Sequence, residues 1–290
     1  PESKIAIYDF EINKFPLGNF DASIKGNEDL TNYNVNATIK NDISKSFSAI
    51  GNISVIGKKS RIDVDLAFDE FNLQPLNPLL DGVLSNIRGL VTGEAKVVGD
   101  LNRPDINGNL NLNNSGFGIP LLNVDYSFAD NTSVGLKNQN FVFNNLQLTD
   151  TKYNSSAQLN GSLNHINLSK WSLDLNLNTN RLLVLDTEDA EDALYYGTGF
   201  IGGRASISGP TDQLVISVVG ETKRGTVFKI PLSDAESFGD NTFIHFITKE
   251  QKEAREKGTD FVINDIRGLE LDFDLDVTED AELEIIIDKN

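Results

Sequence analysis

Apolar and polar residues alternate with period two along almost the whole chain. Ile62, Val64, Leu66 and Phe68 interleave with Arg61, Asp63, Asp65 and Ala67, and Leu173, Leu175 and Leu177 interleave with Asp174, Asn176 and Asn178. Leu269, Leu271, Phe273, Leu275 and Val277 alternate in the same way with Glu270, Asp272, Asp274, Asp276 and Thr278. Period two gives each strand one apolar and one polar face. Strands that are half polar argue against a parallel sheet covered by helices on both sides and for an antiparallel meander. Two stretches depart from the pattern. Residues 75–87 place Leu76, Leu79, Leu80, Val83, Leu84 and Ile87 at helical spacing, with Asn77 and Pro78 as cap and first-turn residues, and predict a short amphipathic helix. Residues 248–257 are polar, rich in Glu, Lys and Ala, and end at Gly258; they read as a solvent-exposed helix or lid, or as a solvated connection.

The pattern repeats at long range, and repeats are the first feature to seek in such a chain. Gly89, Gly93 and Gly99 return as Gly199, Gly203 and Gly209, and Gly51 returns as Gly161, all displaced by 110 positions. Ile119, Pro120 and Leu121 return 111 positions later as Ile230, Pro231 and Leu232. Ile62, Val64, Leu66 and Phe68 fall on Trp171, Leu173, Leu175 and Leu177 at 109, as Leu73 and Leu76 fall on Leu182 and Leu185. One-residue slips belong in hairpin loops. The expected organisation is a starting segment over 1–50, a first repeat over 51–160, a second over 161–268 containing the polar insertion near 248–257, and the start of a further repeat over 269–290. A tandem strand array is open-ended, so each unit needs a neighbour to cover its edge.

Composition sharpens this reading. With 23 Gly, 33 Asn and only 8 Pro, the chain is supplied with residues that tolerate the positive φ of tight turns. Hydrophobic residues make up 39% and charged residues 23%, enough apolar surface for a folded core and too few charges for a disordered acidic tail. The net charge of −18 excludes nucleic acid as the default partner, because phosphate neutralisation drives that binding. Without Cys there is no disulfide framework, Cys-based zinc site or thiol nucleophile. Beginning at Pro1, with no leader and no apolar run of 18 residues, the chain reads as a piece of something longer whose membrane anchor lies outside it.

The repeated strings stand as GLVTGEAKVVGDLNRPDINGNLNL followed by GIPLL, and as GFIGGRASISGPTDQLVISVVGE followed by KIPLS. Together with LNPLLDGVLSNIRG, DALYYGTGF and the closing RGLELDFDLDVTEDAELEIIID, they resemble the C-terminal region of the TamB family, the AsmA-like repeating β-groove proteins of the bacterial envelope. The resemblance covers most of residues 50–290. It implies an all-β fold, a long curled antiparallel sheet forming an open hydrophobic trough (a β-taco) with one or two short helices. It also implies a periplasmic location in a Gram-negative envelope, an inner-membrane anchor outside this segment, and a BamA-like outer-membrane barrel partner of the TamA type. The implied activities are phospholipid transport between the two membranes and support of outer-membrane protein assembly. The insertion at 248–257 has no counterpart in the first repeat.

Residue chemistry supports a trough independently. An unclosed sheet that curls needs Gly at its bends, and the spaced glycines fit. Strands of about ten to twelve residues including turns would number about 24, an array on the order of 100 Å long at most if they stack in one file at about 4.8 Å per strand. The expected lining is Ile53, Val55, Val64, Leu66, Phe68, Leu110, Leu112, Leu163, Leu173, Leu175, Leu177, Leu214, Ile216, Leu271, Phe273 and Leu275, with phospholipid acyl chains as ligand. Ordinary core packing is the alternative for each of them singly. No catalytic constellation, cofactor motif or metal site is expected. His165 and His245 lie in different elements, each beside apolar residues, and read as satisfied or surface histidines. The acidic clusters Asp186, Glu188, Asp189, Glu191, Asp192 and Asp272, Asp274, Asp276, Glu279, Asp280 read as solvated rather than as calcium ligands. Two other functions remain open: an assembly factor that docks a barrel by β-augmentation without conducting lipid, and a surface array of closed β-sandwich domains, each near 110 residues, that binds glycans.

Overall fold

A strand with one apolar face needs neighbours on both edges and cover on one side, and the chain meets the first need by pairing almost every strand with the next. A computed structural model describes residues 1–41, 45–57, 59–79, 84–167, 169–189, 195–231 and 268–286. Seventeen strands hydrogen-bond into one sheet. They are β1 (Glu2–Ile12), β2 (Phe15–Gly26), β3 (Asn32–Lys40), β4 (Lys45–Ile56), β5 (Lys59–Asn72), β6 (Ser85–Asp100), β7 (Arg103–Ile119), β8 (Val124–Phe128) and β9 (Thr132–Lys137). The second half comprises β10 (Asn140–Asp150), β11 (Ser156–Ile166), β12 (Ser169–Thr187), β13 (Tyr196–Pro210), β14 (Leu214–Thr222), β15 (Val227–Pro231), β16 (Leu269–Asp276) and β17 (Glu282–Ile286).

The fold is all-β, as the alternation predicts. β1 to β7 form an uninterrupted antiparallel meander, and β10 to β14 form another. β8 and β9 share one track between β7 and β10, because each pairs with both. β14 and β15 likewise share the track beside β13. The last track breaks the antiparallel rule, since β16 runs parallel to β14 and β17 parallel to β15. Residues 232–267 separate β15 from β16, ample for the crossover that parallel pairing requires. The single sheet replaces the array of closed sandwiches.

Two expectations are corrected. Strands reach 19 residues in β12, well beyond ten to twelve, and the described residues form seventeen strands on fourteen tracks, against about 24 expected over the whole chain. The described strands then span roughly 60 Å across the sheet, within the upper estimate of about 100 Å. Of the helix expected over 75–87, the described residues form a 3₁₀ helix, Gln74–Leu79, and Ile87 belongs to β6; residues 80–83 lie outside the described residues. Asn77 explains the difference: its side-chain amide accepts from the Ile87 N–H and donates to the Ile87 C=O, both at 2.7 Å, standing in for a strand neighbour. The insertion at 248–257 lies outside the described residues.

Long strands remain on one face because bulges bend them along a line across the sheet. Register shifts fall between Phe68 and Phe71 in β5, Phe143 and Leu146 in β10, and Thr179 and Leu182 in β12, and the broken tracks are interrupted at 129–131, 223–226 and 277–281. One extra residue per bulge moves the apolar parity from odd to even, or the reverse, so the same face stays apolar beyond it. Asparagine recurs on this line. Asn114, Asn131 and Asn145 take φ of +48°, +58° and +52°. Their N–H groups, freed from the ladder, donate to Asp130 Oδ1, Asn113 Oδ1 and Asn160 Oδ1 at 3.0, 3.0 and 2.8 Å.

The candidate groove and its neck

Cα partners across a ladder share a face, so a row of side chains can be followed from strand to strand. One row reads Ile7, Phe20, Ile39, Phe47, Phe68, Gly93, Leu110, Val134, Phe143, Gly161, Leu175, Ile207, Ile216, Leu271. It crosses all fourteen tracks without meeting a polar side chain. All sixteen residues expected to line a groove lie on this same face. Val64 is buried, fourteen are half-buried, and Phe273 is 50% exposed. Near the N-terminal end, Ile5, Ile7 and Ile24 are exposed on this face at 56%, 41% and 44%.

The opposite face carries the charge. Lys96 bridges Asp63 at 2.8 Å and Asp65 at 3.2 Å, and hydrogen bonds to these two carboxylates raise the pKa of its ammonium. Asn109, Asn111, Asn176 and Asn178 extend the polar surface.

The groove is not uniform along its length. Between β8 and β12 its apolar residues form a packed core that includes Val124, Leu146, Leu148, Ala157, Leu159 and Leu182. β10 and β11 lie between β8 and β12, three spacings or about 14 Å in a flat sheet. The sheet curls enough here for the Tyr126 hydroxyl to donate to the Leu183 C=O at 2.7 Å. Asn123 Nδ2 donates to the Asp186 C=O at 2.6 Å, and the Lys152 ammonium pairs with the Asp186 carboxylate. Beneath this clasp Asp150 is fully buried. Its carboxylate accepts the N–H groups of Lys152, Tyr153 and Ser155 at 3.0, 2.6 and 2.6 Å, and the Ser155 hydroxyl as well. Ser155 Oγ in turn accepts the Leu183 N–H at 2.7 Å. Burial, and then the Asp150 charge, push the Tyr126 phenol well above its ordinary range, so it stays a donor.

The clasp carried no period-two signal: Tyr126 reads as one more inward aromatic, and contact between strands three tracks apart depends on curl, which alternation does not encode. Nor did the acidic cluster act as a unit. Asp186 is engaged by Lys152 and Thr198, and Glu191 and Asp192 lie outside the described residues. His165 is buried on the groove face, with ring centroids 5.0 Å from Trp171 and 5.6 Å from Phe141, and burial lowers its pKa. His245 lies outside the described residues. Among the described residues no group of His, Asp and Glu is placed to hold a metal ion, and no helix is long and apolar enough to cross a membrane.

A single bent sheet, apolar along one face and, among the described residues, edged by strands without an outer partner, defines a groove-forming β-sheet protein. Comparison with protein families agrees and is more specific: the TamB C-terminal domain model matches residues 144–290, and the TamB N-terminal domain model matches residues 8–112. The chain belongs to the TamB family, whose setting is protein assembly and lipid transport in the Gram-negative envelope. No curated protein and no solved structure matches it.

Proposed function

We propose that the chain is a non-enzymatic section of a periplasmic trough that carries phospholipid acyl chains between the inner and outer membranes and supports outer-membrane protein assembly. The observation that carries the reading is the unbroken apolar row from Ile7 to Leu271, most of it half-exposed. Each acyl CH₂ laid on such a surface gains about 0.8 kcal/mol. Headgroups stay at the open mouth and need no dedicated pocket. The 110-residue repeats serve as interchangeable lengths of trough, held to the inner membrane by an anchor outside this segment and delivering to a BamA-like barrel of the TamA type. Native mass spectrometry of gently purified protein tests the reading: bound phospholipid is expected, and Leu66→Asp combined with Leu175→Asp removes it. Spectra without lipid throughout overturn it.

A second reading rests on the last track. Among the described residues nothing pairs with the outer edge of β17, whose Leu283 and Ile285 are exposed, and such an edge can add a strand of a barrel by β-augmentation. Crosslinking from Glu284 to a barrel protein, in a chain that never captures lipid, favours it over the carrier.

A further inference from the structure

The clasp between β8 and β12 has a consequence for a carrier. Inner-face residues of β1, β2 and β16 are exposed or half-exposed, whereas Tyr126, Leu146, Leu148, Leu159 and Leu182 are buried by one another. The groove thus consists of two arms, most open toward β1–β2 and toward β14–β17, joined by a filled neck; Ile39, Val64, Val91 and Ala95 of the first arm are themselves buried. An acyl chain moving from one arm to the other must displace packed side chains at the neck. Besides the apolar packing of the neck, its polar links are few: Tyr126 to Leu183 and Asn123 to Asp186 from the β8 side, and Lys152 to Asp186 from the β10–β11 turn. None of them belongs to a strand ladder, so all three can part while the β10–β11–β12 pairings stay intact.

We propose that this clasp is a gate: β8 swings away from β12 to let lipid pass between the arms and closes again behind it. The inference rests on the carrier reading and adds regulation to it. The side chains are suited to the task. Tyr126 contributes one hydrogen bond to a backbone carbonyl, and the Lys152 end of the ion pair with Asp186 is open to solvent. The Asp150–Ser155 cradle beneath holds the β10–β11 turn and the Leu183 N–H, giving the moving wall a fixed stop.

The test uses the whole chain, tethered through a tag at Pro1 to vesicles that contain a photoreactive phosphatidylcholine, with labelled strands mapped by mass spectrometry. The native chain has no cysteine, so Asn123→Cys with Asp186→Cys gives a unique pair that a short bismaleimide locks. Before locking, label is expected in both β5 and β14. After locking, β5 remains labelled and β14 loses its label. Tyr126→Phe, which keeps the ring in the core, is expected to speed the appearance of label in β14 about fivefold, the worth of one ordinary hydrogen bond. Label in β14 that is indifferent to the lock, or no faster with Tyr126→Phe, overturns the gate and leaves the carrier standing. Label in neither arm overturns both.

Discussion

Gly161 lies on the groove face at φ +127°, and a Cβ there would sit 1.9 Å from the Asp174 carbonyl oxygen. Gly135 is the control, since its added Cβ would first meet Val142 at an ordinary 3.7 Å. Gly161→Ala is therefore expected to cost about 2 kcal/mol or more in urea unfolding, and Gly135→Ala to change stability by under about 1 kcal/mol. The sequence marked Gly161 through its repeat partner Gly51, and each meets an inward residue across the ladder, Leu175 and Val64. What spacing did not encode is the reason, which is backbone approach at a bend. His165 carries a second prediction at this scale. Burial beside Trp171 and Phe141 holds its folded pKa below the ordinary 6.5. Well above pH 6.5 the group is neutral in both states and its burial costs no proton. As pH falls below that value the unfolded chain binds the proton first, and stability is lost until the folded pKa is reached. Urea midpoints between pH 7.5 and 5.5 should fall more steeply for the native chain than for His165→Gln.

The bulge is the element that turns alternation into a bent strand. In β10 the inward residues change from Phe141 and Phe143 to Leu146 and Leu148, and in β12 from Leu175 and Leu177 to Leu182. This parity change was present in the sequence, between the Asn144-Asn145 pair and across Asn180-Arg181, and it would have located the bend. A length of ten to twelve residues per strand does not allow for strands that continue through a bulge, which is why it gives too many strands. Asn145→Gly should be nearly neutral, because both residues accept φ +52°, whereas Asn145→Val should cost about 1–2 kcal/mol in urea unfolding. Asn77 makes a parallel case. Leucine spacing predicts a helix there, but the Asn77 side chain binds both backbone groups of the buried Ile87. Asn77→Ala strands those groups and should cost about 1–3 kcal/mol. Asn77→Asp, which can still accept from the N–H but cannot donate, should fall between the two.

Across the whole molecule, alternation defines which face is apolar, and curl decides how much of it is covered; only the first is written in local sequence. The groove row was legible residue by residue, whereas the neck depends on Tyr126 reaching Leu183 across two intervening strands. The same separation applies at the sheet's margins. Among the described residues β1 has no partner on its outer side, and Tyr8, 78% exposed, stands on it with Ile5 and Ile7. An edge of this kind is a template for pairing with another chain unless charge opposes it. Here the opposition is long-range: the chain carries a net charge of −18, and on the last track Glu270, Asp272, Asp274 and Asp276 follow one another at every second position. Lowering the pH toward 4.4 removes that repulsion, and added salt screens it. Sedimentation velocity should therefore show monomer at neutral pH and low salt, and concentration-dependent association as either variable is moved. Tyr8→Lys places a charge on the edge itself and should suppress association under both conditions. Association indifferent to this substitution would mean that the chains meet elsewhere, with the apolar groove face, half-open at both ends, as the contact.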